Sequence, residues 1–275
     1  MYHHLTIDLE SWVHRSALQE LTSEKRKSLD NGFIVQATSQ ILEILSKKKT
    51  NLTFFIVSEI YQWYPELIKQ IKQLKHEIGF HTCNHLKLMG KNALDLELKF
   101  AEEFLSTFKP KGFRAPEMQL TIEECQLLVD AGFKYDSSIY STKNILKNQF
   151  PILEIPVSSY RMINKIKERR KMVDMPRGLI NVFLKNFEIP YGSGFFIGLI
   201  GDQIFRFIRH RESQGLASVM FLHPWQIYPA PLTFQEIKAG FPLSVFMFPY
   251  YINRRVTFEK IVSSLLISPL GSIIK

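Results

Sequence analysis

Five short strand-patterned runs in this chain each carry, at or next to their ends, a residue able to do chemistry, and helix-patterned segments separate most of them. His4–Leu9 contains Asp8 and leads to Glu10, while Glu77–Phe80 leads to His81 and His85. Gly112-Phe113 leads to Arg114, Tyr135–Ser138 contains Asp136, and Ser218–Leu222 leads to His223. Repeated βα units imply a mostly parallel sheet with right-handed crossovers, either doubly wound or closed as a barrel. In such folds the loops after the strands share one face, so catalytic groups collect there. Singly, each residue has a structural reading: Asp8 as a helix cap, Arg114 as an ion-pair partner, His223 as a satisfied core histidine. Five in the same relative place favour the functional reading.

The intervening pattern is consistent with this. Ile34–Lys48 has helical spacing, with lysines at its C-terminal end where they suit the helix dipole. Asn51–Val57 reads as a strand, and Ser58 as the N-cap of a helix carrying Tyr61, Tyr64, Leu67, Ile68 and Ile71. A helix is expected over Leu94–Phe108. Another starts at the capping box Thr121-Ile-Glu-Glu124 and closes at Gly132. Leu153–Val157 reads as a strand, Gly198–Glu212 and Phe258–Ile267 as helices. Residues 161–195 fit no clear element and leave a lid open as an expectation, and disorder is expected only near 161–178.

With 275 residues, 45% hydrophobic content and 22 phenylalanines, the chain can build one large core. The two cysteines, Cys83 and Cys125, support no disulfide framework and suit a reducing compartment. The start of the chain shows no secretory leader, and no apolar run has the length of a membrane span. The expected location is the cytoplasm, with the inner membrane face as a second option. The net charge of +9 is spread out except at Lys165–Lys171, which reads as a solvated loop or helix face. No nucleic-acid-binding motif accompanies it, so nucleic acid is not an expected partner.

Two imidazoles four residues apart can reach one divalent metal if the backbone between them makes a helical turn or a tight loop. The wider order of motifs resembles the polysaccharide deacetylases, carbohydrate esterase family 4 (NodB-like). It runs Thr6-Ile-Asp-Leu-Glu-Ser-Trp12, Thr53-Phe-Phe55, His81-Thr-Cys-Asn-His85 and Gly112-Phe-Arg-Ala-Pro116. Tyr135-Asp-Ser-Ser138, Glu154-Ile-Pro-Val157 and Phe221-Leu-His-Pro-Trp225 continue it. The nearest likeness is to the branch whose first motif is Asp-X-Glu-Asp-Trp. The resemblance covers residues 3–230, with 231–275 as an extension packed on the same single domain.

The resemblance implies a distorted (β/α) barrel of seven strands with its active site at the C-terminal strand ends. It implies a divalent metal, usually zinc, held by Glu10, His81 and His85. Asp8 becomes the general base, His223 the general acid for the leaving amine, and Arg114 the residue that holds Asp8. Asp136 would tune a neighbouring catalytic group, and the backbone N–H of Glu117 would face the oxyanion. Amide hydrolysis requires such a set, because water needs activation and an amide nitrogen leaves badly unprotonated.

Trp12 and Trp225 either wall a sugar cleft or fill core. Two departures stand out: Ser11 occupies a position where the branch carries an acid, and glutamate replaces the commoner aspartate ligand. The expected function is metal-dependent removal of an N-acyl group, acetyl foremost, from an amino sugar of a surface polysaccharide or its precursor. Alternatives are a deformylase or deacetylase of a polyprenyl-linked sugar at the membrane surface, for which Phe195–Ile200 and Phe241–Ile252 offer apolar stretches, and a small-amide hydrolase. A third alternative is an inactive glycan-binding protein.

Overall fold

The computed structural model describes residues 1–15, 18–88, 92–162, 188–231 and 248–274. Its centre is a curled parallel sheet of seven strands in the order β11-β1-β2-β3-β4-β5-β7. These are β1 (His4–Leu9), β2 (Thr53–Ile56), β3 (Glu77–Phe80), β4 (Gly112–Phe113), β5 (Tyr135–Asp136), β7 (Leu153–Glu154) and β11 (Val219–Leu222). Because all are parallel, every strand C-terminus lies on one rim. The fold is the expected distorted barrel.

Between the edge strands β7 and β11 stand short pieces: β6 (Tyr140–Ser141) pairs with β8 (Val157–Ser158), and β9 (Tyr160–Arg161) pairs with β10 (Glu188–Ile189). Gly192 bridges the seam, donating to the Ser158 carbonyl and accepting from Phe221 N–H at 2.8 Å. A Cβ at Gly192 would come within 2.3 Å of the Val219 carbonyl oxygen, so only glycine lets the chains approach this closely.

Both strands at the centre are buried on both faces: β2 is apolar through Phe54-Phe-Ile56, whereas β1 alternates Leu5, Ile7 and Leu9 with the buried polar residues His4, Thr6 and Asp8. Alternation along β2 sends Phe54 to the layer between sheet and helices and Phe55 to an inner cluster with Tyr135, Ile155, Val219 and Leu270. Leu270 belongs to the C-terminal turn, where Gly271 N–H donates to Glu77 at 2.8 Å. Tyr135 donates to the same carboxylate at 3.0 Å. The chain's end thus packs on the strands it follows.

The helices depart from the sequence pattern in instructive places. The one expected from Ser58 divides into two helices, Ser58–Trp63 and Pro65–Gln73, because Pro65 lacks an N–H and begins a new helix. The Leu94–Phe108 pattern divides at Ala101 (φ −97°, ψ 11°). Gly198–Glu212 contains a break at Gly201, whose φ is 51°. Leu153–Val157 splits between two sheets. The last helix runs Arg255–Ser264 rather than Phe258–Ile267. The helix Ser23–Asp30 carries no strong apolar face and was not foreseen.

The apolar stretch Phe195–Ile200 lies in a helix (Gly194–Ile200) that buries Phe196, Ile197 and Gly198 against the core. Much of Phe241–Ile252, most of the 161–195 segment and the Lys165–Lys171 cluster fall outside the described residues. Among the described residues, no helix is long and apolar enough to cross a membrane.

Candidate active site

Glu10 occupies the centre of the rim. Its Oε1 lies 3.1 Å from His223 Nε2 and its Oε2 lies 3.1 Å from His85 Nε2. His81 Nδ1 is 2.7 Å from the Arg114 carbonyl, and His85 Nδ1 is 3.2 Å from the His14 carbonyl. A carbonyl only accepts, so both Nδ1 atoms carry the proton and both Nε2 atoms of the neutral rings are bare lone pairs. Burial lowers the proton affinity of each ring, taking His85 down to about 4. Burial pushes Glu10 the other way, but the surrounding His85, His223 and His81 prevail and hold it at about 2.

At neutral pH, His85 therefore faces Glu10 acceptor to acceptor, an arrangement that a shared cation relieves. Ligand atoms of Glu10, His81 and His85 all lie within 4.8 Å of one another. Two imidazole nitrogens and a carboxylate oxygen suit zinc or a similar divalent ion, with coordination positions left for water and substrate. The residues fit such a metal.

The loop between the histidines is the tight-loop alternative, not a helical turn. Thr82 and His85 adopt left-handed φ values of 64° and 58°, and the Thr82 hydroxyl accepts from His85 N–H at 3.1 Å. The Glu97 carboxylate accepts from the N–H groups of Cys83 (2.6 Å) and Asn84 (3.1 Å), holding the loop from below.

Beside this group, Arg114 is fully buried and spends its guanidinium on four partners. It donates to Asp8 at 2.6 Å, to the Thr6 hydroxyl at 2.7 Å, and to the carbonyl and hydroxyl of Ser137, both at 2.9 Å. The rings of Phe55 and Phe221 pack against it at 4.3 and 5.1 Å.

On the other flank, His223 stacks on Trp225 with ring centroids 4.6 Å apart and 9° between planes. Gln226 donates through Nε2 to the Gly194 carbonyl at 2.7 Å, which turns its Oε1 toward His223 Nδ1 at 2.9 Å. The His223 Nδ1 therefore carries a proton. Burial is the largest single influence on His223 and lowers its proton affinity, but the hydrogen bond and charge of Glu10 outweigh it, leaving the ring above its ordinary value. Nε2 is then a donor aimed into the site.

The remaining expected residues lie further out. Asp136 is buried and accepts from the Ser138 hydroxyl at 2.5 Å, and Ser138 in turn accepts from Ala115 N–H at 2.8 Å. Glu117 is more exposed, with φ 52°, and pairs with Lys87 at 2.9 Å. Trp12 and Trp225 are each 5% exposed, so both are packed inside, and Trp225 gives one face to His223. Ser11 is buried and donates to Asp30 at 2.5 Å.

Several supports were missed in the sequence. His14 orients His85 through its carbonyl, while its ring Nε2 lies 3.0 Å from Glu59, which Arg26 grips through Nε and Nη2 at 3.0 and 2.6 Å. No local signal marks these residues. Gln226 was findable, since it stands three residues after His223 at the N3 position of a capping box.

Residues 27–135 match the sequence profile of the family described as polysaccharide deacetylase. The chain is 31% identical over 113 residues to a peptidoglycan-N-acetylglucosamine deacetylase of Bacillus cereus, covering 39% of this chain and 52% of the relative. It is 24% identical over 106 residues to the chitooligosaccharide deacetylase of Rhizobium leguminosarum bv. trifolii, covering 37% and 49%. The chain thus spans about half the length of these relatives. A crystal structure of a peptidoglycan N-acetylglucosamine deacetylase aligns over 98% of this chain and 86% of its own, with a TM-score of 0.52 and 14% identity. That of an allantoinase aligns over 94% and 88%, with a TM-score of 0.52 and 16% identity. Profile and relatives agree that residues 27–135 are similar to the polysaccharide deacetylase family, and the solved structures share the barrel fold.

Proposed function

We propose that this chain is a metal-dependent hydrolase that removes an N-acyl group, acetyl foremost, from an amino sugar in a surface glycan or its precursor. The observation that carries this reading is the Glu10–His85 contact, two acceptors 3.1 Å apart, flanked by an acid–base pair in Asp8 and His223. The relatives named for deacetylating peptidoglycan and chitooligosaccharides supply the substrate class.

In this reading Glu10, His81 and His85 would hold a divalent ion, zinc foremost, which when bound would supply Lewis-acid polarisation of an acyl carbonyl and lower the pKa of water to about 7. Asp8, fixed by Arg114, takes a proton from the attacking water as its oxygen bonds to the acyl carbon. His223 delivers the Nε2 proton to the nitrogen as the C–N bond breaks, releasing a neutral amine and a carboxylic acid. Gln226 and Trp225 keep that nitrogen directed at the substrate. Glu97 and Thr82 keep the histidine loop in its left-handed conformation, and Asp136, through Ser138, steadies the Ala115–Glu117 turn whose N–H faces the oxyanion.

Acetate release from N-acetylated amino-sugar oligomers, measured with the zinc-loaded protein, tests the reading. Release that disappears in the His81→Ala/His85→Ala variant is expected. Undiminished release by that variant, stripped of metal, would overturn it.

A further inference from the structure

The turn Phe248–Tyr251 lies outside residues 3–230, which carry the family resemblance, yet it reaches the active site. Three contacts anchor it. Pro249 presses so close to Gly198 that a Cβ there would meet its carbonyl oxygen at 2.0 Å. Arg254 donates to the Gly198 carbonyl through Nε and Nη2, at 3.0 and 2.6 Å. Its backbone N–H donates to the carbonyl of Gln226 at 2.5 Å, and Gln226 is the residue that orients His223. Pinned in this way, the turn sets the Tyr250 ring edge-on against His223, with centroids 5.4 Å apart, and against Phe195 at 5.6 Å.

The phenol can do one thing there. Burial, then the carboxylates of Glu10, Asp8 and Glu117, push its ionisation above the ordinary tyrosine range, so at neutral pH it keeps its proton. The groups whose charge it feels most are carboxylates that only accept, so the site gains a donor where it is otherwise rich in acceptors. Its ring lies against the histidine that addresses the leaving nitrogen, not against His81 and His85 on the acyl side. In the deacetylase reading, the substrate atoms that His223 addresses, and that this ring therefore neighbours, are those around the carbon bearing the nitrogen.

Resting on the deacetylase reading, we propose that Tyr250 is a specificity-determining residue whose hydroxyl donates to a hydroxyl on the sugar carbon next to the one bearing the acylated nitrogen. A pyranose amino sugar offers such an acceptor and a simple amide does not. The C-terminal segment therefore completes the substrate site as well as packing on the barrel.

Tyr250→Phe keeps the ring contacts and removes the donor. Two measurements test it: binding of an N-acetylglucosamine tetramer to the Asp8→Asn protein by calorimetry, and acetate release from that tetramer and from an N-acetylated aryl amine without hydroxyls. The variant is expected to weaken tetramer binding and lower its kcat/KM about three- to tenfold, the span of one neutral hydrogen bond. Turnover of the aryl amide is expected to fall by a clearly smaller factor than that of the tetramer. Equal losses on both substrates, or tetramer binding that Tyr250→Phe leaves alone, would overturn the contact. Tetramer binding weakened by the variant, with neither substrate hydrolysed by the wild type, would instead sink the deacetylase reading and leave the sugar contact standing.

Discussion

Asp8 and Arg114 meet at 2.6 Å inside the barrel, where the aspartate is 4% exposed and the arginine not at all. Removing one partner of such a pair strands a buried charge, at about 3–5 kcal/mol. Arg114→Met should lower the unfolding free energy by about that much in denaturant titration. Arg114→Lys keeps the charge but cannot fork across Thr6, Asp8 and Ser137. In the proposed reading Asp8 is the base, and its misplacement should lower acetate release about 100-fold. Wild-type stability in Arg114→Met would show that the pair contributes nothing.

The Glu10, His81 and His85 group makes metal loading a stability measurement as well as an activity one. An ion that binds only the folded chain stabilises it by about 2.7 kcal/mol at 100 times its Kd. Zinc should therefore raise the Tm and chelator should reverse the rise. In His81→Ala/His85→Ala the Tm should ignore both. A zinc-dependent rise in that double variant would place the ion elsewhere.

The strand-end residues were legible because the rim position of a parallel strand is a local property: the run ends and the next residue faces the site. Glu10, His81, Arg114 and His223 all follow that rule, and Asp8 stands one residue before the end of its strand. The helix breaks were legible only in part, since Pro65 advertises its own break whereas Ala101 does not. The supports around the site were hidden for a different reason. Glu97 reaches Cys83, His14 reaches Glu59 and Tyr250 reaches His223 through tertiary contacts that no periodicity records. Ser11 shows the same limit, because only the fold brings Asp30 to it.

That Ser11–Asp30 contact yields a prediction about the departure in the first motif. The Ser11 hydroxyl donates to Asp30 Oδ1, which also accepts from Ile34 N–H at 3.3 Å, while Asp30 Oδ2 accepts from Tyr64 at 3.1 Å. Burial already raises the Asp30 pKa, against those hydrogen bonds. Ser11→Asp therefore sets a second carboxylate against a buried one and should destabilise the fold by about 1–3 kcal/mol, the cost of an unsatisfied buried group. Zinc affinity should not improve. A tenfold tighter zinc complex in Ser11→Asp would mean that position 11 is a ligand position after all.

Acid should loosen the metal-free fold in two steps. His76 is buried and accepts Leu52 N–H through Nδ1 at 3.3 Å, and burial lowers its pKa from 6.5 to about 4. The unfolded chain binds this proton near 6.5 and the folded chain refuses it until about 4, so the stability tied to neutral His76 is complete above pH 6.5 and is lost as pH falls toward 4. His85 without metal acts in the same direction. Glu59 covers the lower window: burial pushes it up, but His14 and Arg26 hold it at about 2. Its contribution is complete above pH 4.5 and is lost toward 2. Each group limits the slope to about 1.4 kcal/mol per pH unit. Urea unfolding of the metal-free protein should show stability falling through both windows. His76→Gln, which keeps an acceptor and cannot take the proton, should flatten the curve between pH 6.5 and 4 and leave the lower step in place. A His76→Gln curve parallel to the wild type across that upper window would remove His76 from the account.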